Sequence, residues 1–291
     1  AVYTEFPGTL YFSTKEATYK STDEGVTWIL MLPDLVAQLP AVVSYRNPPS
    51  QNEPDIFLWA VDPLSPTTMY GYTYRNSPAQ ITLMKSIDAD QTWNEINQPD
   101  HYLIAGDGFF LTIDPQNSTT LYLAAWSTLY KSINGGDTWQ EINRGLPAPG
   151  PGFDISALVF DPKTSSTLYL VDRAHGLFKS TDSGENWNPI INSTEDNSSF
   201  IAKWLAIDPL DSNILYAQNN IDGQLYTSPD GGQTWQPTTL GLASSDVYSF
   251  IISPLTPSTR YAILGTGEIS GLFKSTDNGQ TWTEIQTILL P

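Results

Sequence analysis

The segment Ser275–Trp282 reads S-T-D-N-G-Q-T-W, and five other segments of the chain resemble it closely. They read S-T-D-E-G-V-T-W, S-I-D-A-D-Q-T-W, S-I-N-G-G-D-T-W, S-T-D-S-G-E-N-W and S-P-D-G-G-Q-T-W, and they begin at Ser21, Ser86, Ser132, Ser180 and Ser228. The closing tryptophans are 65, 46, 48, 48 and 47 residues apart, so the repeats span the whole chain of 291 residues. Repeats of this length are typical of solenoids and propellers.

A second motif precedes the last five boxes. An Asp-Pro or Ser-Pro turn is followed by a tyrosine. The residue before the proline always precedes this tyrosine by eight positions, as in the pair Asp161 and Tyr169. Alternating apolar and polar runs around these motifs favour four strands per repeat, which we term A, B, C and D. The sequence therefore predicts an all-β fold, a six-bladed β-propeller of four-stranded antiparallel blades with Asp-box turns. The whole chain, 1–291, is predicted to be one domain, with blades near 1–40, 41–100, 101–145, 146–192, 193–240 and 241–291.

The third residue of the box is predicted to be structural. A short Asp or Asn side chain can accept hydrogen bonds from the amides of its own turn, and the box glycine suits a positive φ. Asn134 can fill this role but could not replace a catalytic carboxylate. The box tryptophan is expected to pack over its hairpin and against the next blade. These structural positions are Asp23, Asp88, Asn134, Asp182, Asp230 and Asp277, with Trp28, Trp93, Trp139, Trp187, Trp235 and Trp282.

The box resembles the Asp-box, or BNR repeat. That repeat occurs in sialidases, xyloglucanase-type glycoside hydrolases, sortilin-type receptors and the photosystem II assembly-factor group. Six copies over the full chain imply the propeller fold. They do not imply one function, because the families that share the box do unrelated things.

Composition excludes several functions. The chain has 13 Lys+Arg against 31 Asp+Glu, a formal charge of -18, which opposes binding to nucleic acid or anionic membranes. Cysteine is absent, which excludes disulfides and thiolate chemistry, and there are only two histidines. No apolar run is long enough to insert into a bilayer. An acidic, cysteine-free composition rich in Ser, Thr and Asn favours an extracytoplasmic location, either secreted or at the cell surface.

Loop lengths differ between the two edges of the predicted blades. The A–B turns and the C–D boxes are constant, whereas the B–C loops and D–A linkers vary. We call the edge with the variable loops the top face and predict that a protein or carbohydrate ligand binds there. The longest linker, residues 29–56, is either a packed surface loop or a lid.

Four acids lie seven residues before the end of strand A: Asp55, Asp107, Asp154 and Asp246. Each could cap its own turn. Alternatively they form part of a carboxylate ring, with Ca²⁺ as a possible cofactor held by Asp107, Asp154 and Asp246.

Other candidates lie in the B–C loops. Trp126 and Tyr74 could stack on a sugar or a peptide, although Trp126 could equally fill a gap. Arg75 adjoins Tyr74 in a loop predicted to be extended. Asp172, Arg173 and Glu268 are expected near the same rim as His175. With a carboxylate neighbour His175 could act as an acid or base, or it could simply be solvated.

These observations predict a non-catalytic, extracytoplasmic binding or assembly scaffold with an acidic top face. The alternatives are a glycoside hydrolase, sialidase- or xyloglucanase-like, and a carbohydrate-binding lectin. Sialidase resemblance implies three converging arginines and a Tyr–Glu nucleophile pair, but no arginine occurs in a strand A run. Xyloglucanase resemblance implies two propellers that each supply one carboxylate, so one propeller provides at most half of that site. An inverting pair drawn from Asp107, Asp154 and Asp246 remains open.

Overall fold

The computed structural model describes residues 2–4, 10–13, 18–21, 27, 29–31, 56–65, 67–76, 79–88, 91–99, 110–125, 128–148, 155–192, 201–242, 247–253, 256–265 and 269–289. Every helix or strand assigned in these ranges is a β-strand. Apart from its first two residues, the chain falls into two compact units, Tyr3–Asn143 and Arg144–Pro291. The prediction of a single domain stays a prediction.

The first unit contains three four-stranded sheets in chain order. Sheet 1 consists of β1 (Val2–Thr4), β2 (Leu10–Ser13), β3 (Thr18–Ser21) and β4 (Ile29–Met31). Sheet 2 consists of β5 (Ile56–Val61), β6 (Met69–Asn76), β7 (Ala79–Ser86) and β8 (Asn94–Glu95). Sheet 3 consists of β9 (Phe110–Asp114), β10 (Asn117–Ala125), β11 (Thr128–Ser132) and β12 (Gln140–Glu141).

The second unit contains three more sheets of the same kind. Sheet 4 consists of β13 (Ile155–Phe160), β14 (Leu168–Asp172), β15 (Gly176–Ser180) and β16 (Asn188–Asn192). Sheet 5 consists of β17 (Ala202–Ile207), β18 (Leu215–Asn219), β19 (Leu225–Ser228) and β20 (Gln236–Thr238). Sheet 6 consists of β21 (Val247–Ile252), β22 (Arg260–Gly265), β23 (Ile269–Ser275) and β24 (Thr283–Leu289).

The all-β fold built from four-stranded antiparallel sheets is confirmed. In every sheet the strands are paired in chain order, from first to fourth. In sheet 4, for example, Val159 pairs with Tyr169 and Tyr169 pairs with Lys179. That a six-bladed ring is formed stays a prediction.

The core lies between neighbouring sheets of each unit. In sheets 3 to 6 the second strand is the most buried one, and all five residues of β14 are buried. In the first unit one apolar cluster joins Tyr70 and Leu83 of sheet 2 to Leu121 and Leu123 of sheet 3. In the second unit similar clusters join sheet 4 to sheet 5 and sheet 5 to sheet 6. First strands contact each other in succession, β5 with β9 in one unit and β13, β17 and β21 in the other.

One expected loop is a strand pair instead. The segment from Tyr72 to Ile81 was predicted to be an extended B–C loop, but β6 and β7 stay paired up to Asn76 and Ala79. Only residues 77 and 78 separate the two strands. The alternation of Tyr, Thr and apolar residues on both sides of Ser77 and Pro78 accounts for this, because such residues favour the pleated strand over a loop.

Candidate functional site

The box aspartates are anchored in their own turns. Asp277 Oδ1 accepts hydrogen bonds from Ser275 Oγ at 2.7 Å and from Thr281 N at 2.9 Å, while Oδ2 accepts one from Thr281 Oγ1 at 2.6 Å. The same arrangement recurs at Asp88, Asp182 and Asp230, with Asn186 Nδ2 replacing a threonine hydroxyl in sheet 4. Asn134 makes the same contacts, but one hydrogen bond runs in the opposite direction. Its Nδ2 donates to Thr138 Oγ1 at 2.9 Å, whereas the aspartates accept from the threonine hydroxyl. These side chains hold the turn between the third and fourth strands.

Each box serine and glycine complete the same turn. Ser275 Oγ accepts a hydrogen bond from Gly279 N at 2.9 Å, and Ser275 is 2% exposed. The glycine has a positive φ, 84° at Gly279 and 96° at Gly232. The residue before the glycine is also left-handed, with φ of 59° at Ser183 and 60° at Asn278. This second position was not predicted from the sequence. In the boxes of sheets 3 to 6 it is Gly, Ser or Asn, residues that tolerate the left-handed conformation or can bond locally in it.

Hydrogen bonding lowers the pKa of the box carboxyls. The hydroxyl and backbone amide of Thr281 and the hydroxyl of Ser275 lower the pKa of Asp277 from 3.8 to about 2. The pKa values of Asp88, Asp182 and Asp230 are lowered in the same way, chiefly by Thr92, Asn186 and Thr234. The general acid of a glycosidase needs a raised pKa. The four aspartates are therefore unsuited to that role.

We expect Asp277→Asn to lower the free energy of unfolding at neutral pH and to have a vanishing effect at strongly acid pH. The folded-state pKa is depressed, so the charged group stabilises the fold above pH 3.8, and this contribution is lost as the pH falls towards about 2. Urea unfolding of both proteins followed by tryptophan fluorescence between pH 7 and 2 checks this. A difference that stays constant across that range would contradict it. Asn134→Asp, the reverse exchange in sheet 3, should gain stability in the same window.

A cation lies over the tyrosine of most second strands. Lys85 Nζ is 5.2 Å from the ring centroid of Tyr70, and Lys179 Nζ is 5.0 Å from that of Tyr169. Tyr70 Oη and Lys85 Nζ both point to the carbonyl oxygen of Gly135 in the next box, at 3.5 and 3.4 Å. Burial, with the charges of Asp62 and Asp137, raises the pKa of Tyr70 to about 12, so the phenol stays protonated as a donor. This contact couples neighbouring sheets.

Sheet 5 receives its cation from sheet 6. Thr227 replaces the usual lysine beside Tyr216. Arg260 pairs with the box serine at a position where other second strands have Leu or Met. It places its guanidinium carbon 5.0 Å from the Tyr216 ring centroid, and its Nη2 donates to Tyr216 Oη at 3.1 Å. Arg260 is 6% exposed. The role of Arg260 was not predicted from the sequence; the available signal was that Thr227 replaces the usual lysine while Arg260 replaces the usual leucine.

Short linkers close against the following boxes. Trp187 N donates to Arg144 O at 2.8 Å, and a Cβ on Gly145 would lie 2.0 Å from Trp187 O. Likewise Trp282 Nε1 donates to Leu240 O at 2.8 Å, and a Cβ on Gly241 would lie 1.9 Å from Gly279 O. These linker residues were expected on the top face. They pack against the box of the following sheet instead.

Among the B–C turns, that of sheet 4 contains a buried carboxylate. Asp172 is fully buried, and its Oδ1 accepts a hydrogen bond from Ala174 N at 2.8 Å. Its Oδ2 lies 2.7 Å from His175 Nδ1, and the His175 side chain is 28% exposed. Arg173 in the same turn is exposed. A buried carboxylate at Nδ1 fixes the orientation of an imidazole, so this turn presents a histidine in a defined position.

In the B–C turn of sheet 5, a tyrosine is paired with a carboxylate. Tyr226 Oη donates to Asp222 Oδ2 at 3.2 Å. Desolvation and the charge of Asp222 raise the pKa of Tyr226. A tyrosine nucleophile requires the opposite shift. This pair is therefore not suited to the nucleophilic step that a sialidase resemblance would imply.

Three first strands share an irregularity at the same position. In β13, β17 and β21 the register shifts at Ser156, Lys203 and Tyr248, each opposite the end of the second strand. A β-bulge re-aims one side chain and recurs beside binding sites. The strand pairs on either side of each bulge are regular. The three bulged residues differ in chemistry, since they carry a hydroxyl, an ammonium and a phenol group. The motifs used in the sequence analysis did not reveal these bulges.

Many of the predicted ligand residues lie outside the described residues. These are Asp55, Asp107, Asp154, Asp246, Trp126 and Glu268, and in the boxes Asp23 and Trp28. Tyr74 and Arg75 lie in β6, where they pair with Ile81 and Gln80. Within the described ranges no group of three His, Asp or Glu could hold a metal ion. The same ranges contain no helix with the length and apolar character needed to cross a membrane.

Comparison with known proteins agrees with the repeat. The BNR/Asp-box repeat model matches residues 273–284. Xyloglucanase Xgh74A of Acetivibrio thermocellus is 28% identical over 159 residues, which are 49% of this chain and 18% of that protein. The match therefore spans less than a fifth of that relative's length.

Two solved structures share the fold. The Niastella koreensis GH74 enzyme superposes with a TM-score of 0.61 at 20% identity, covering 97% of this chain and 44% of that chain. YCF48 bound to D1 peptide superposes with a TM-score of 0.58 at 14% identity, covering 98% and 79%. The chain thus contains a BNR/Asp-box repeat at residues 273–284, and its propeller-type fold resembles those of the GH74 enzyme and YCF48.

Proposed function

We propose that the chain is a six-bladed β-propeller that acts as a non-catalytic, extracytoplasmic binding scaffold. Its top face would hold a protein or glycan ligand. The observation that carries this proposal is the contrast between the two edges of the sheets. At the box edge the same contacts recur among the described sheets, whereas the bulges and B–C turns at the other edge place different residues in sheets 4 to 6. Individual side chains at an otherwise repeated position are what a specific binding surface requires.

The second unit supplies the described part of this surface. Ser156, Lys203 and Tyr248 lie on first strands that contact each other in succession. The buried Asp172 and the half-exposed His175 adjoin Ser156, because Ile155 pairs with Asp172. The four candidate acids near the starts of the first strands, Asp55, Asp107, Asp154 and Asp246, would extend the surface, with Ca²⁺ as a possible ligand. Trp126 and Glu268 would lie on the same face.

The ligand class follows from the relatives only as a proposal. Xgh74A is named a xyloglucanase, and the YCF48 structure contains a D1 peptide. A glycan and an extended peptide are therefore the two ligands to test first. The similarity to Xgh74A also favours a second candidate function, a glycoside hydrolase. The lowered pKa values of the box aspartates argue against those residues as its general acid, and leave Asp107, Asp154 and Asp246 as its candidate carboxylates.

We expect the protein to bind xyloglucan oligosaccharides or extended peptides without cleaving them. His175→Ala and Lys203→Met should weaken binding roughly tenfold each, as the loss of one or two hydrogen bonds does. Asp182→Asn, in a box, is the matched control and should leave the affinity unchanged. Calorimetry measures binding, and reducing-end release measures hydrolysis.

Two outcomes would reject the scaffold proposal. Release of reducing ends by the wild-type protein, lost in Asp107→Asn or Asp154→Asn, would instead support the hydrolase. Equal affinity in the His175, Lys203 and box variants would place the ligand elsewhere.

A further inference from the structure

Two asparagines of the chain are each followed directly by a glycine. They are Asn134 in the box of sheet 3 and Asn278 in the box of sheet 6. An asparagine before glycine is especially prone to lose ammonia spontaneously, because glycine has no Cβ to shield its amide nitrogen from the preceding side chain. Both asparagines are exposed. Sequence and exposure therefore do not distinguish them, whereas their hydrogen bonds do.

The side-chain amide of Asn134 is held at both ends. Its Oδ1 accepts hydrogen bonds from Ser132 Oγ and from Thr138 N, each at 2.9 Å, and its Nδ2 donates to Thr138 Oγ1 at 2.9 Å. These bonds keep the amide within its own turn. Attack by the following glycine requires them to break, and each broken bond lowers the fraction of molecules in a reactive conformation.

The side-chain amide of Asn278 is not held in this way. Asn278 is the fourth residue of its box rather than the third, and Asp277 makes the anchoring bonds there. Among the described residues the Asn278 amide group has no hydrogen-bond partner, and only the backbone N of this residue donates, to Ser258 O at 3.0 Å. The side chain can therefore turn towards Gly279 without losing a hydrogen bond to the protein.

Both glycine nitrogens are engaged in the folded chain. Gly135 N donates to Thr119 O at 2.8 Å, and Gly279 N donates to Ser275 Oγ at 2.9 Å. Each nitrogen must leave its acceptor before it can attack, so both reactions require local opening of a box. The asparagine side chain then sets the difference in rate.

We propose that Asn278 is a site of spontaneous deamidation and that Asn134 is protected by its box. The nitrogen of Gly279 loses its proton and forms a bond to Cγ of Asn278, the bond from Cγ to Nδ2 breaks, and ammonia leaves. Water then opens the resulting cyclic imide at either carbonyl, which gives aspartate or isoaspartate. Isoaspartate adds a backbone carbon to a turn in which Gly279 O accepts a hydrogen bond from Trp282 Nε1 at 3.2 Å. This inference does not depend on the proposed binding function.

The experiment incubates the folded protein in mildly alkaline buffer and follows both asparagines by mass spectrometry of proteolytic peptides. Asn278 should convert roughly tenfold or more faster than Asn134, as the hydrogen bonds that hold Asn134 require. The same incubation in urea removes the boxes, so the two asparagines should then convert at similar rates.

Two threonine variants locate the cause. Thr138→Val removes the hydroxyl that accepts from Asn134 Nδ2 and should raise the rate at Asn134. Thr234→Val is the same change in the box of sheet 5, where the hydroxyl donates to Asp230 Oδ2 at 2.6 Å, and it should leave both rates unchanged. Equal rates at Asn134 and Asn278 in the folded wild type would overturn the proposal. It would also be overturned if Asn278 stayed intact while the urea-treated chain reacts, or if Thr138→Val left the rate at Asn134 unchanged.

Discussion

Gly145→Ala is expected to lower the free energy of unfolding by roughly 3–5 kcal/mol, although the glycine is exposed. The added Cβ would lie 2.0 Å from the carbonyl oxygen of Trp187, and this atom belongs to a backbone that cannot rotate away. The φ of 90° adds strain of its own. To relieve the clash, Arg144 would have to withdraw its carbonyl from Trp187 N. Urea unfolding at neutral pH measures the change.

Gly223→Ala separates the clash from the strain. Gly223 has a similar left-handed backbone, with a φ of 70°, but a Cβ there would have nothing within 4 Å. Its alanine variant should lose only the backbone term, roughly 1–2 kcal/mol. Equal losses of stability in Gly145→Ala and Gly223→Ala would contradict the close contact between Gly145 and the Trp187 carbonyl. Gly241→Ala, where the Cβ would lie 1.9 Å from Gly279 O, should behave like Gly145→Ala.

The double variant Thr227→Lys with Arg260→Leu is expected to be closer in stability to the wild type than either single variant. Arg260→Leu alone removes the cation and the donor from Tyr216, and Thr227→Lys alone brings a second cation to the same ring. Together they restore the lysine and the leucine that other sheets use. A double-mutant cycle from urea unfolding should give a coupling of roughly 1–2 kcal/mol.

Sheet 4 provides the matched control for this cycle. Lys179→Thr should destabilise that sheet, because Leu215 of sheet 5 cannot supply a cation to Tyr169. Adding Leu215→Arg should recover part of the loss by copying the arrangement of sheets 5 and 6. If the stability changes of the single variants simply add in both cycles, Thr227/Arg260 and Lys179/Leu215, the cation does not act through the tyrosine ring.

The strand order and the box turns could be predicted because they depend on local patterns. Alternation of apolar and polar residues sets the strands, and one short polar side chain followed by glycine sets the box turn. The short polar side chain recurs in all six boxes and the glycine in five, so no single repeat had to be decisive. The antiparallel four-stranded sheets required nothing from distant parts of the chain.

Features that depend on a partner strand or on a neighbouring sheet could not be predicted in this way. Arg260 acts on Tyr216, 44 residues earlier, and only the missing lysine at Thr227 connects them in the sequence. The bulges at Ser156, Lys203 and Tyr248 depend on the register of a partner strand, which composition does not set. The segment around Tyr74 and Arg75 was predicted wrongly. Its greater length was interpreted as a long loop, whereas its strand-forming residues extend β6 and β7.

The exchange between Thr227 and Arg260 bears on how such a chain can diverge by duplication. A repeat that lacks its lysine receives its cation from the neighbour that carries the arginine, so a pair of repeats is the smallest segment that keeps this contact intact. Recombination that replaced sheet 5 alone with a copy of sheet 4 would bring a lysine and Arg260 to one tyrosine. A duplication that preserves the contact would have to copy sheets 5 and 6 together.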